Sequence, residues 1–61
     1  MKPPYRIELW SGGDSQLLNV TMNLPAAERV CRESIPNLRI GEVIRVRDAA
    51  GALVLSTDPT E

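Results

Sequence analysis

The sequence predicts an α+β fold of the order ββαββ, a four-stranded, antiparallel-rich sheet with one short helix packed on one face. Three observations predict it. Apolar and polar residues alternate with a period of two from Tyr5 to Trp10 and again from Gln16 to Leu24. The period then changes to about 3.6 between Pro25 and Pro36, and Val43 to Ser56 reads as two further strands around a turn.

Pro3 and Pro4 favour an extended start. In the first strand Tyr5, Ile7 and Leu9 share one face, and Arg6, Glu8 and Trp10 share the other. Ser11-Gly12-Gly13-Asp14 is a turn, because two glycines take positive φ at no steric cost. The second strand then carries Leu18, Val20, Met22 and Leu24 on its core face, opposite Leu17, Asn19, Thr21 and Asn23.

Pro25 suits a first helical turn, with Asn23 or Leu24 as cap, and Pro36 ends the helix at Ile35. Ala27, Val30, Cys31, Ser34 and Ile35 form its buried stripe; Glu28 with Arg32 and Arg29 with Glu33 lie on the solvent side. A helix this short is held by packing on the sheet. Leu38 and Ile40 tuck beneath it from the connector.

In the closing hairpin, a four-residue loop, Asp48 to Gly51, keeps Val46 beside Leu53 and Ile44 beside Leu55 on the core face. Asp48 opens the turn and Gly51 takes its left-handed position. The expected strand order is 2-1-4-3 with a parallel central pair, or else a simple meander. The chain is one domain, 1–61, ordered over about 4–57, with a frayed tail at 58–61.

Composition narrows the function. Seven Lys and Arg against eight Asp and Glu leave a formal charge of −1, which gives no global field for a polyanion. Without histidine, Ser-His and Cys-His nucleophiles and histidine-ligated metals are excluded, so no metal or cofactor is expected. Apart from Glu8 on the first strand, the carboxylates fall on turns, the solvent side of the helix and the tail, where none pairs for acid–base work. Two glycines followed by a strand are not a phosphate loop. The expectation is a non-enzymatic protein with no small-molecule substrate. No apolar run has membrane-span or signal-peptide length, which points to a cytoplasmic protein with no membrane contact.

Cys31 is the one cysteine, so it forms no intrachain disulfide, and its place on the helix stripe makes it a small core hydrophobe. Phe is absent and Tyr5 and Trp10 are the only aromatics, so the core is thin at a length that buries only about 60% of the unfolded surface. Self-association would add burial.

The stretches "YRIELW", "AAERVCRES" and "IRVRDAAGALVLS" together resemble short bacterial proteins of unknown function, common in proteobacteria, that begin Y-R-[IV]-E-L-W and end in an Arg-containing hairpin. The resemblance implies a bacterial cytoplasmic origin and a ββαββ fold, and no activity, cofactor or partner.

What remains is the sheet face away from the helix, expected to show Arg6, Glu8, Trp10, Leu17, Asn19, Thr21, Arg45, Arg47 and Val54. Trp and Arg are the side chains most enriched at contact hot spots. The expected function is a protein-interaction module, with Trp10, Arg6, Leu17, Arg45, Arg47 and Val54 as the contact residues. Its partner is another protein or a second copy, the latter as a two-fold homodimer through this face. Two alternatives stand beside it: nucleic-acid or phage-defence-related binding through Arg6, Arg45, Arg47 and a stacking Trp10, and a redox-sensing thiol at Cys31.

Overall fold

The computed structural model describes residues 1–61. Strand β1 (Tyr5–Ser11) and strand β2 (Asp14–Thr21) are followed by helix α1 (Leu24–Ser34), a 3-10 turn (Ile35–Asn37), strand β3 (Glu42–Arg47) and strand β4 (Leu53–Ser56). This is the ββαββ α+β fold, with four strands in one open sheet and the helix on one side. No helix is long and apolar enough to cross a membrane.

The strand order is β2-β1-β3-β4, and every neighbouring pair is antiparallel. The expected 2-1-4-3 order with a parallel central pair is therefore corrected. Strand β3 has six residues, with Ile44 and Val46 almost wholly buried, whereas β4 has four. Placing β3 beside β1 gives the longer, more deeply buried strand two partners and the better-aligned antiparallel bonds. The short strand is left at the edge.

Tyr5, Ile7, Ala27, Cys31, Ile44 and Val46 make up the core, with Leu9, Leu24, Val30, Leu38, Val54 and Leu55 packed around it. Ile7 lies opposite Val46, and Leu9 opposite Ile44, so the core sits on the β1–β3 seam beneath α1. Asn23 caps α1, its Oδ1 accepting from Ala26 N at 3.4 Å, with Pro25 in the first turn. Ala27 and Cys31 are buried, but Ile35 at the end of the stripe is exposed, as is Ile40 in the connector.

Two bulges overturn parts of the expected facing. Between Ile7 and Glu8 the β1–β2 register jumps from Asn19 to Leu17, and Leu18 is the extra residue. Asn19 and Thr21 consequently lie opposite the core residues Ile7 and Tyr5, and Val20 lies opposite Arg6 on the open face. Leu18, Val20 and Met22, expected in the core, are exposed.

The second bulge is in the closing hairpin. Asp48 N donates to Ala52 O and Gly51 N to Asp48 O, each at 3.0 Å, so the loop is the three residues Ala49 to Gly51. Asp48 is buried, and its Oδ1 accepts from Ala50 N at 2.9 Å and Ala52 N at 3.0 Å. Gly51 takes the expected positive φ, 86°. Leu53 then pairs with Arg47 and is exposed, and the extra residue Val54 returns Leu55 to the core opposite Val46. A three-residue loop is tolerated because the bulge repairs the alternation one residue later.

Candidate functional site

The open face is built on the β1–β3 pairing, which sets Arg6 opposite Arg47, Glu8 opposite Arg45 and Trp10 opposite Val43. Paired residues of an antiparallel ladder point to the same side, so these six side chains share one surface. Trp10 is its centre. Its indole Nε1 donates to Glu8 Oε1 at 3.0 Å, and the guanidinium carbons of Arg45 and Arg47 stand 5.2 and 5.9 Å from the ring centroid. Cation–π contacts of this kind contribute about 0.5–1 kcal/mol each where partly exposed.

Both arginines are also paired with acids. Arg47 Nε donates to Glu8 Oε1 at 3.2 Å, and its Nη1 donates to Gly51 O at 3.2 Å, tying the sheet face to the hairpin loop. Arg45 Nε donates to Glu61 Oε1 and Oε2 at 3.0 and 3.3 Å. Glu61 reaches Arg45 because residues 57–61 turn back towards the sheet. Thr57 Oγ1 accepts from Ile44 N at 2.9 Å, Asp58 N donates to Ser56 Oγ at 3.0 Å, and Thr60 N and Oγ1 both donate to Asp58 Oδ1. Where fraying is expected, the tail is thus a hydrogen-bonded turn. The Thr60 backbone N–H and then its hydroxyl hold the Asp58 carboxyl below its ordinary range; Ser56 Oγ and then Arg45 do the same for Glu61.

Charge on the face is balanced. Arg6, Arg45 and Arg47 are matched by Glu8, Glu61 and Asp58, three against three, and Arg6 has no ion pair. Beside Trp10 lies an open depression of about 520 Å3, lined by Gly12, Gly41, Val43, Arg45 and Asp58 among others. Glu42 at its rim is already engaged, accepting from Arg39 N at 2.7 Å.

Of the six residues predicted for this surface, Trp10, Arg45 and Arg47 form one connected cluster; Arg6 and Leu17 flank it and are exposed. Leu17 lies opposite Glu8. Val54 is corrected: it packs against the core, and Leu53 takes its place beside Arg47. Sequence reasoning also missed Ser15 opposite Trp10, Val20 opposite Arg6, and the tail residues Ser56, Asp58 and Glu61. Ser15 follows from the Gly12-Gly13 turn and the regular pairing beside it, whereas Val20 needed the Leu18 bulge, which no residue type announces. Cys31 stays in the core at 9% exposure, its thiol pKa pushed up by burial and then by Glu28. No group of His, Cys, Asp and Glu side chains is placed to hold a metal.

Fold and site together define a small α+β sheet domain with an arginine–tryptophan face. Compared with protein-family models, curated proteins and solved structures, the chain gives no match.

Proposed function

We propose that the protein is a small non-enzymatic interaction module that engages a protein partner through the open face of its sheet, with Trp10 as the anchor. The carrying observation is that Trp10 is already held in place, by Glu8 at its Nε1 and two guanidiniums against its ring. A pre-ordered aromatic loses little conformational freedom on contact, so its burial goes largely into affinity. Leu17, Val20 and Leu53 supply exposed apolar surface around it, and unpaired Arg6 offers a carboxylate site at the rim. The fitting partner is a protein surface with an apolar centre and an acidic neighbour.

Nucleic acid is disfavoured by the charge balance, since each arginine of the cluster already has a carboxylate partner. A sensing thiol is disfavoured by the burial and raised pKa of Cys31.

The test is affinity capture with wild type and Trp10→Ala side by side, followed by measurement of the recovered complex across salt concentrations. A partner held by wild type, lost with Trp10→Ala and retained at high salt supports the proposal. A complex that dissociates steeply with salt, or a partner bound equally by both, refutes it.

A further inference from the structure

Strand β2 is the long free edge of the sheet, and all but one of its eight residues are exposed. At about 3.4 Å per residue it runs roughly 27 Å, nearly the full 30 Å extent of the molecule. Its outer backbone groups have no strand partner. Leu17, Leu18, Val20 and, just beyond, Met22 are 49, 42, 47 and 69% exposed. Solitary sheet edges are ordinarily blunted by lysine, proline, inward-facing charge or a bulge; β2 has the Leu18 bulge and Asp14 at its start, and no lysine or proline. The total accessible surface, 4257 Å2, exceeds the roughly 3,900 Å2 typical of a folded monomer of 6.7 kDa.

We infer that β2 pairs antiparallel with β2 of a second copy across a two-fold axis between Leu17 and Leu18, joining the two sheets into one continuous sheet. The facing of residues around the Leu18 bulge fits a second copy. Ser15 and Leu17 lie opposite Trp10 and Glu8 on the open face, while Gln16 lies opposite Leu9 on the core side. Beyond the bulge the alternation is reversed, with Asn19 and Thr21 on the core side and Val20 on the open face. Facing is therefore symmetric about the Leu17–Leu18 link. In the two-fold pairing Ser15 meets Val20, Gln16 meets Asn19 and Asp14 meets Thr21, each pair from one face.

A regular strand can follow β2 past Leu18 only by setting one residue opposite two, as β1 does with Glu8. A second copy carries the same extra residue and opposes it two for two. Charge agrees with the antiparallel sense: the two Asp14 carboxylates, the only charges on β2, lie at opposite ends of the joint, where a parallel pairing would set them side by side. The other edge does not compete. Strand β4 is four residues long and is followed by Asp58 and Pro59, so the contact closes at two copies. The interface falls at the small end of specific contacts, and micromolar dissociation is expected.

This surface is separate from the Trp10 face and does not rest on the proposed partner contact. Pairing at β2 sets two Trp10 clusters on the same side of one extended sheet, whereas the homodimer expected from sequence would bury them.

The test is sedimentation at several concentrations, with circular dichroism to confirm folding. Wild type should be dimeric at about 100 µM, and Trp10→Ala should remain so. Leu18→Lys sets a lysine beside the partner's Leu17 and should weaken the dimer at least about tenfold, as should Leu17→Glu. Both sites are exposed and outside the core, so the monomer should fold. An equimolar mixture of the two variants should recover the dimer, because Lys and Glu then face each other across the axis. A monomeric wild type overturns the inference, as does failure of the mixture to associate. A dimer lost with Trp10→Ala and kept with Leu18→Lys overturns it in favour of the open face as the self-contact.

Discussion

Gly51 offers a direct measurement of how much the closing hairpin depends on one backbone conformation. Its φ of 86° lies in the left-handed region, and an added Cβ would meet no atom within 4 Å. Steric crowding by neighbours is thus absent, and a substitution reports backbone strain alone. Placing an L-residue in this region costs about 1–2 kcal/mol, more for a β-branched side chain; part is offset because a larger residue also restricts the unfolded chain. Gly51→Val should therefore destabilise by about 1 kcal/mol or more. For a domain this small that lowers Tm by roughly 4–8 °C per kcal/mol. Gly51→Asn should cost less, because Asn tolerates the left-handed region, and D-alanine introduced by chemical synthesis should remove the penalty. Thermal and urea denaturation of the set provide the assay. A Gly51→Val protein as stable as wild type, or no advantage for D-alanine, would refute the assignment of strain to this position.

Cys31 should react slowly with a thiol reagent in the folded protein and quickly in denaturant, and Cys31→Ala should cost about 1 kcal/mol with the fold retained; rapid native labelling would contradict its burial. Because its pKa is raised on folding, the native state holds the thiol proton more tightly, and stability should fall as pH climbs past the ordinary thiol range. The tail behaves oppositely. The folded-state pKa values of Asp58 and Glu61 are lowered, so their contacts are complete above the ordinary carboxylate range and are lost as pH falls through the depressed values. Carboxyl titration by NMR should find both below ordinary carboxylates, and the Thr60 and Glu61 amides should lose protection from exchange, relative to their intrinsic rates, on acidification while the amides of β3 keep theirs.

The elements were legible because each has a local physical signature. Pro25 and Pro36 bracket α1, and paired glycines at Gly12 and Gly13, both at positive φ, turn the first hairpin. Strand order was not legible, since any helical crossover allows several neighbours for β1 and the choice is made by burial summed over the whole sheet. The two bulges were hidden for a different reason. Nothing in Leu17-Leu18 or Leu53-Val54 marks one residue as extra, yet each insertion reverses the facing of everything beyond it. The candidate site divides along that line: Arg6, Trp10, Arg45 and Arg47 lie on the regular β1–β3 ladder and were placed correctly, whereas Val54, Asn19 and Thr21 lie at or beyond a bulge and were not.

The central seam has a kinetic consequence. It joins residues 31 positions apart at one end, Ser11 with Glu42, and 41 apart at the other, Arg6 with Arg47. Either hairpin can zip locally within microseconds, but neither contains a core by itself, because Ile7 and Leu9 belong to one and Ile44 and Val46 to the other. The entropy of closing that long loop is spent before the apolar contacts return anything. Folding should therefore be limited by docking of two preformed hairpins, with single-exponential kinetics. During synthesis β1 stays without half of its hydrogen-bond partners until β3 has left the ribosome, and for that interval the chain has two apolar edges instead of one.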